Sequence, residues 1–300
     1  MIQTFRKQRI IARLIRSTHY GLMSKTSSPA LALLAFSCLA LACPTANLRA
    51  TTLISDTFST AGTLNGTTPD TTVAGAKWTA LTGASAATSN GTSLSMTTNT
   101  TQTNVLDLGA GYFASNPGIY TLSMDVTLPS GSGTSWIGLG FVVNPQTAGS
   151  LSTTTSGTGL NLSGGTNGGS PWILNRQNGQ TNVYRGAGTN SSLLSTATGT
   201  FASGNTYTMT LVLNTSLANW TLDSYMNSTQ LDLNGAGAGN TAVFTSNPTD
   251  IRYVGFSTGG GGAFSATIDN FTLTAVPEAS IVTLAACGIG FLALLRTWRR

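Results

Sequence analysis

The sequence predicts an all-β protein, an antiparallel two-sheet sandwich, and three observations carry that prediction. Apolar and polar residues alternate with period two through 51–275. Turns rich in Gly, Ser, Thr and Asn separate the runs, and no segment of that range shows a helical repeat. Apolar-in, polar-out alternation belongs to antiparallel sheets with one wet face, and a dozen such runs suit two stacked sheets.

In chain order, strands are expected at 51–58, 76–82, 92–99, 103–108, 120–128, 135–143, 171–176, 180–185, 206–213, 217–226, 250–257 and 264–274. The fifth is the clearest: Tyr120, Leu122, Met124, Val126 and Leu128 share one face, and Thr121, Ser123, Asp125 and Thr127 the other. Tyr207, Met209, Leu211 and Leu213 repeat the pattern opposite Thr206, Thr208 and Thr210. Two low-complexity stretches, 82–104 and 144–171, interrupt the alternation. The second reads as a long loop within one sandwich, because neither half alone has a natural start and end. The Gly259–Gly262 run reads as a tight hairpin, since no Lys-Ser/Thr pair and no helix follow it to make a phosphate loop.

Composition narrows the chemistry. Only 8% of the 300 residues are charged, against about 25% in an average soluble domain, which argues against a cytosolic enzyme. The net charge of +5 is concentrated at the ends, and 51–275 holds four basic and eight acidic residues. A mildly acidic body excludes nucleic-acid binding driven by phosphate neutralisation. That body contains no His, Cys or Glu: His19, Cys38, Cys43, Cys287 and Glu278 all lie outside it. Neither a Ser-His-Asp nor a Cys-His arrangement can be assembled from it, and zinc is disfavoured. Aspartates alone are left for glycoside chemistry, which normally needs an acid and a base or nucleophile. The expectation is a protein that is not an enzyme and needs no cofactor.

Both ends read as addresses. Residues 30–43 are an apolar run preceded by positive charge, which fits a signal peptide over 1–50 with cleavage after Ala50; Ala42 and Ala46 are competing sites, and Met23 opens a more ordinary leader than Met1. At the other end, 279–295 is apolar, at the lower limit for a transmembrane helix. Arg296, Arg299 and Arg300 follow as a cytoplasmic stop. Val276, Pro277 and Glu278 immediately precede this span. The tripartite tail, 276–300, resembles the PEP-CTERM sorting signal, with Ala279 in place of the family's second Pro. That resemblance implies an exosortase-type processing enzyme as partner, transient membrane anchoring, and a cell-surface or extracellular-matrix destination in a bacterium that makes exopolysaccharide.

The body carries a second resemblance. Leu53-Ile54-Ser55-Asp56-Thr57-Phe58 at its start, Lys77-Trp78-Thr79-Ala80, and Ala266–Thr274 at its close look like concanavalin-like or laminin-G-like jelly rolls, in which the first and last strands are neighbours. A jelly-roll-like sandwich of that kind implies a fold rather than an activity. In it, Asp56 and Asp269 on the terminal strands are candidate ligands of a structural Ca²⁺, with turn or edge solvation as the alternative.

Candidate carbohydrate-binding residues are Trp136, Trp172, Tyr184 and Tyr225. Trp136 is out of phase with Ile137, Leu139 and Phe141, and Tyr225 shares parity with Thr221 and Asp223. Exposed rings beside polar groups can stack on the C–H faces of a sugar while the polar groups take its hydroxyls. The alternative is that these rings pack under long loops. Three functions follow in order: an exported, exosortase-sorted surface or matrix protein, a secreted lectin-like module acting on exopolysaccharide, and an aspartate-based glycan hydrolase or lyase.

Overall fold

The computed structural model describes residues 49–277, apart from 74, 81–86, 99–101, 130–132, 144–170, 185–192, 198–200, 203, 236 and 260–263. The leader up to 48, Glu278, the apolar span 279–295 and the basic tail lie outside the described residues. Among the described residues no helix is long and apolar enough to cross a membrane.

Numbered along the chain, ten strands form one antiparallel sheet: β1 (Thr51–Asp56), β2 (Gly62–Thr63), β4 (Thr88–Ser89), β5 (Leu94–Thr98), β7 (Gly118–Thr127), β12 (Thr206–Asn214), β13 (Thr221–Met226), β14 (Thr229–Gln230), β15 (Ala242–Val243) and β17 (Phe264–Pro277). Seven form the other: β3 (Trp78–Ala80), β6 (Gln102–Asp107), β8 (Trp136–Val143), β9 (Trp172–Arg176), β10 (Thr181–Tyr184), β11 (Leu193–Ala197) and β16 (Ile251–Gly259). Their order is β11-β10-β9-β8-β16-β6-β3. The expected all-β, two-sheet architecture is present.

The alternation explains the core. On β7, Tyr120, Leu122, Met124 and Val126 are buried, and Leu122 is paired with Leu211 on one side and Leu273 on the other. These residues join Ile137, Leu139, Phe141, Ile173, Val254 and Phe256 of the seven-stranded sheet in one apolar cluster. Trp78 stands at its centre, 5.1 Å from the Phe256 ring and 5.0 Å from the Phe271 ring, so it touches both sheets. Its indole N–H donates to Asp56 Oδ2 at 2.6 Å, and Phe58 N donates to Asp56 Oδ1 at 2.8 Å. A carboxylate on β1 thus ties a strand of one sheet to a tryptophan of the other.

β1 and β17 are neighbours, with Thr51 opposite Ala275 and Asp56 opposite Phe271, as the jelly-roll resemblance implied. β8 and β9, which flank 144–170, pair directly. Other expectations need correction. β16 and β17 flank the glycine run but belong to different sheets, so they do not form a hairpin. Local alternation shows that a strand exists, but not which sheet receives it. The four two-residue strands carry no readable period, and β11, Leu-Leu-Ser-Thr-Ala, does not alternate, so neither is marked in the sequence. A single helical turn, α1 (Tyr112–Ser115), buries Phe113, and four residues are likewise too few to reveal a 3.6-residue repeat.

Candidate functional site

The outward face of the seven-stranded sheet carries a second apolar cluster, separate from the core. It comprises Val105, Trp136, Val142, Trp172 and Leu174, with Tyr184 and Tyr253 packed against it. Register explains the composition. Gly140 is opposite both Gly255 and Trp172, and Gly138 is opposite both Ser257 and Leu174, so the centre of this face is paved by glycine. A Cβ at Gly138 would stand 3.2 Å from a Trp172 ring carbon, and one at Gly140 would stand 2.7 Å from Trp172 Cβ. The missing side chains make room for the Trp172 ring to cross β8.

Tyr184, opposite Trp172 on β10, stacks on it with centroids 4.5 Å apart and planes at 14°. Trp136 approaches the same ring at 5.7 Å. The Trp172 indole N–H is buried without an acceptor. Such a donor costs about 1–3 kcal/mol unless something accepts it. Polar groups border the rings. Asn182, outward on β10, donates to Thr196 Oγ1 at 2.9 Å, and its Oδ1 receives Arg176 Nε at 3.4 Å. The Thr103 and Ser257 hydroxyls are 2.9 Å apart. At the far end Arg252 grips Asp107 with two N–H groups, Nε at 2.7 Å and a second at 2.5 Å, and its guanidinium stands 5.2 Å from the Tyr253 ring centroid. Desolvation would raise the Asp107 pKa, but the Arg252 hydrogen bonds and Gly109 N–H outweigh it and hold the carboxyl below its usual range. Burial raises the Tyr253 hydroxyl.

Three of the four rings expected to bind sugar therefore come together: Trp136, Trp172 and Tyr184. They leave the main core, as their phase required, but Trp136 and Trp172 are only 2% and 1% exposed, so neither is the exposed platform expected. Tyr184 remains half-buried. Tyr225 is on β13, outward on the other sheet, and belongs to no cluster with them. Parity placed it correctly off the core; only sheet membership separates it from the rest. Tyr253, Asn182 and Arg176 were missed. The one available signal was glycine at alternate positions through Gly138, Gly140 and Gly255, which marks a close approach rather than a turn.

The terminal aspartates differ from each other. Asp56 is 6% exposed and already accepts two N–H groups. Desolvation raises its pKa, against those hydrogen bonds, with Asp70 and Asp269 adding repulsion. Asp269 is opposite Asp125 and receives Asn270 N at 2.8 Å. The Asn270 side chain donates to Asp125 at 2.9 Å, and its φ of 51° brings it back between the two acids. A hollow of about 180 Å³ beside β1 is lined by Asp56, Thr63, Asp70 and Ser89 among others. Asp70 there is held low by the Thr57 hydroxyl and N–H. Among the described residues no group of three or more His, Cys, Asp or Glu is placed to hold a metal ion.

Fold and site together define an antiparallel β-sandwich with an aromatic patch on the outside of one sheet. No protein-family model matches the chain, and no curated protein matches it. Solved structures do. The endo-1,3-beta-glucanase from Streptomyces sioyaensis is similar at a TM-score of 0.49 and 11% identity, over 76% of this chain and 96% of that one. The winged bean acidic lectin complexed with methyl-alpha-D-galactose gives 0.43 and 11%, over 77% and 100%. The metal-free Emp46p carbohydrate recognition domain gives 0.42 and 14%, over 65% and 87%.

Proposed function

We propose that this is an exported protein whose sandwich binds carbohydrate on the outward face of the seven-stranded sheet. The observation that carries the reading is the Trp172–Tyr184 stack, a half-buried ring held in place by a tryptophan that the sheet itself fixes. A ring fixed in this way loses little freedom when a sugar face stacks on it. Arg176, half-buried and oriented by Asn182, stands on the same face with N–H groups to meet hydroxyls. The absence of His, Cys and Glu from 51–275 supports binding over glycan hydrolysis or lysis.

The test is a glycan array and affinity electrophoresis on soluble polysaccharides. Wild-type protein is expected to be retained, Tyr184→Ala to lose tenfold or more in affinity while still folded at the assay temperature, its melting temperature lowered by a few degrees for the lost stack on Trp172, and Tyr225→Ala to bind normally. No retention on any polysaccharide, or equal loss in Tyr225→Ala, would sink the reading.

Export and sorting complete the proposal. The signal-peptide pattern of 1–50 and the tail 276–300 support delivery through the membrane, recognition of Val276, Pro277 and Glu278 by an exosortase-type enzyme, and release to the surface or matrix. The final strand runs to Pro277, directly before Glu278. Intact mass of the exported protein decides this part: loss of 281–300 is expected, and their retention in all mature material refutes it.

A further inference from the structure

Five side-chain oxygens are buried without a hydrogen-bond partner on the inward face of the seven-stranded sheet: Gln102 Oε1, Asn104 Oδ1, Asn175 Oδ1, Thr181 Oγ1 and Thr258 Oγ1. Their residues are 0–3% exposed. Each shares the parity of a core residue on its own strand: Gln102 and Asn104 with Leu106, Thr258 with Phe256, Asn175 with Ile173, and Thr181 with Val183. They are not scattered. Gln102 is opposite Thr258, Thr258 is opposite Ile137, Ile137 is opposite Asn175, and Asn175 is opposite Thr181. One row of five adjacent strands at one end of the sandwich is therefore polar on its inside at every position except Ile137, and Asn104 stands one inward position along β6.

Unpartnered acceptors buried in this number would consume a large share of a domain's net stability, so the row must be met by donors. The amide oxygens accept only, and each threonine hydroxyl can both donate and accept. Residues directly opposite on neighbouring strands have Cβ atoms about 4.5–5.5 Å apart, a span that one water closes with two bonds of about 2.8 Å. A metal ion fits poorly. The oxygens are all neutral, calcium wants six to eight of them, and the pairs on either side of Ile137 are about 10 Å apart at two strand spacings.

We propose that this end of the sandwich holds two internal water sites, one on each side of Ile137. The first water is bound by Gln102, Asn104 and Thr258, the second by Asn175 and Thr181. The first water donates one proton to each of the Gln102 and Asn104 amide oxygens and accepts from the Thr258 hydroxyl, and the second donates one proton to the Asn175 amide oxygen and accepts from the Thr181 hydroxyl, which is the behaviour of structural water in folded interiors.

The experiment uses the full chain. Thr181→Val and Thr258→Val keep shape and remove one hydroxyl each. Each is expected to lower Tm by about 2–4 °C, by the same amount in sodium, potassium or calcium chloride. Long-lived water cross-peaks to the Asn175 side-chain amide should vanish in Thr181→Val while those to Gln102 remain. Thr181→Ser, which keeps the hydroxyl, should retain the Asn175 cross-peak. An unchanged or raised Tm in the valine variants would mean a dry row and overturn the proposal. So would a stabilisation specific to one cation, which would assign the oxygens to an ion, or absence of the water cross-peaks in the wild type.

Discussion

On β7 the outward residues Thr121, Ser123, Asp125 and Thr127 remain partly in water, whereas on β9 the outward Trp172 and Leu174 are each 1% exposed. The two strands are comparably well buried on their inward sides, so the contrast lies entirely outside the core. The ten-stranded sheet finishes its outer face with hydroxyl pairs, Ser123 with Thr272 at 2.8 Å and Thr127 with Thr206 at 2.6 Å. Cross-strand threonine and serine pairs stabilise a sheet while leaving it hydrated. The seven-stranded sheet instead puts rings over glycines, and β6, β9 and β10 are buried at nearly every position. A sheet needs only one dry face to fold. The second dry face is surplus to that need.

The contrast can be broken by mutation, and the largest effect should come from the dry outer face. Leu174→Ala is expected to cost about 2–5 kcal/mol, as in a core, because Leu174 is a core residue in all but position. Chemical denaturation measures it, and a cost below about 0.5 kcal/mol, normal for a surface site, would show that face to be surface after all. Next is Gly140→Ala, whose new Cβ would meet Trp172 Cβ at 2.7 Å and the Pro171 carbonyl at 3.0 Å. Overpacking of that kind costs about 1–3 kcal/mol, and Trp fluorescence should report the displaced ring.

Asp56→Asn tests the bond that joins the sheets. An amide can still accept one of the two N–H groups but leaves the other facing a donor, at about 1–3 kcal/mol. Its pH behaviour carries a definite sign. Asp56 has a raised pKa when folded, so the folded state takes up its proton first, and this residue's contribution to stability falls as pH rises through the raised value. Asp107 runs the other way. Its pKa is lowered, so its contribution is present above the unfolded value and is lost as pH falls through the folded one. The pair with Arg252 is 31% and 39% exposed, so Asp107→Asn should cost only about 0.2–1 kcal/mol at neutral pH. Melts from pH 7 to pH 2 should show wild type and Asp107→Asn converging. The smallest effect is Thr121→Ala on the wet outer face, within about 0.5 kcal/mol. A larger loss there would erase the distinction between the faces.

Alternation along the chain was enough to set the fold class and the inward faces. Period two through 51–275 placed Leu122, Met124, Met209 and Leu211 in the core, and parity alone set Trp136 and Tyr225 off it, because a strand has only two sides. Composition alone restricted the available catalytic chemistry, since no fold can bring together histidines or cysteines that the body does not contain. Tertiary structure decided what alternation cannot encode. It assigned each strand to a sheet, which put β16 and β17 in different layers and separated Tyr225 from Trp172. It set register, which laid Tyr184 on Trp172 across two consecutive strands and Arg252 against Asp107 across 145 residues of chain. It also decided which outward faces are dry, which turned expected exposed rings into a buried cluster. Parity is a property of one strand and can be read along it, whereas pairing and covering are properties of two or more segments and exist only once those segments meet.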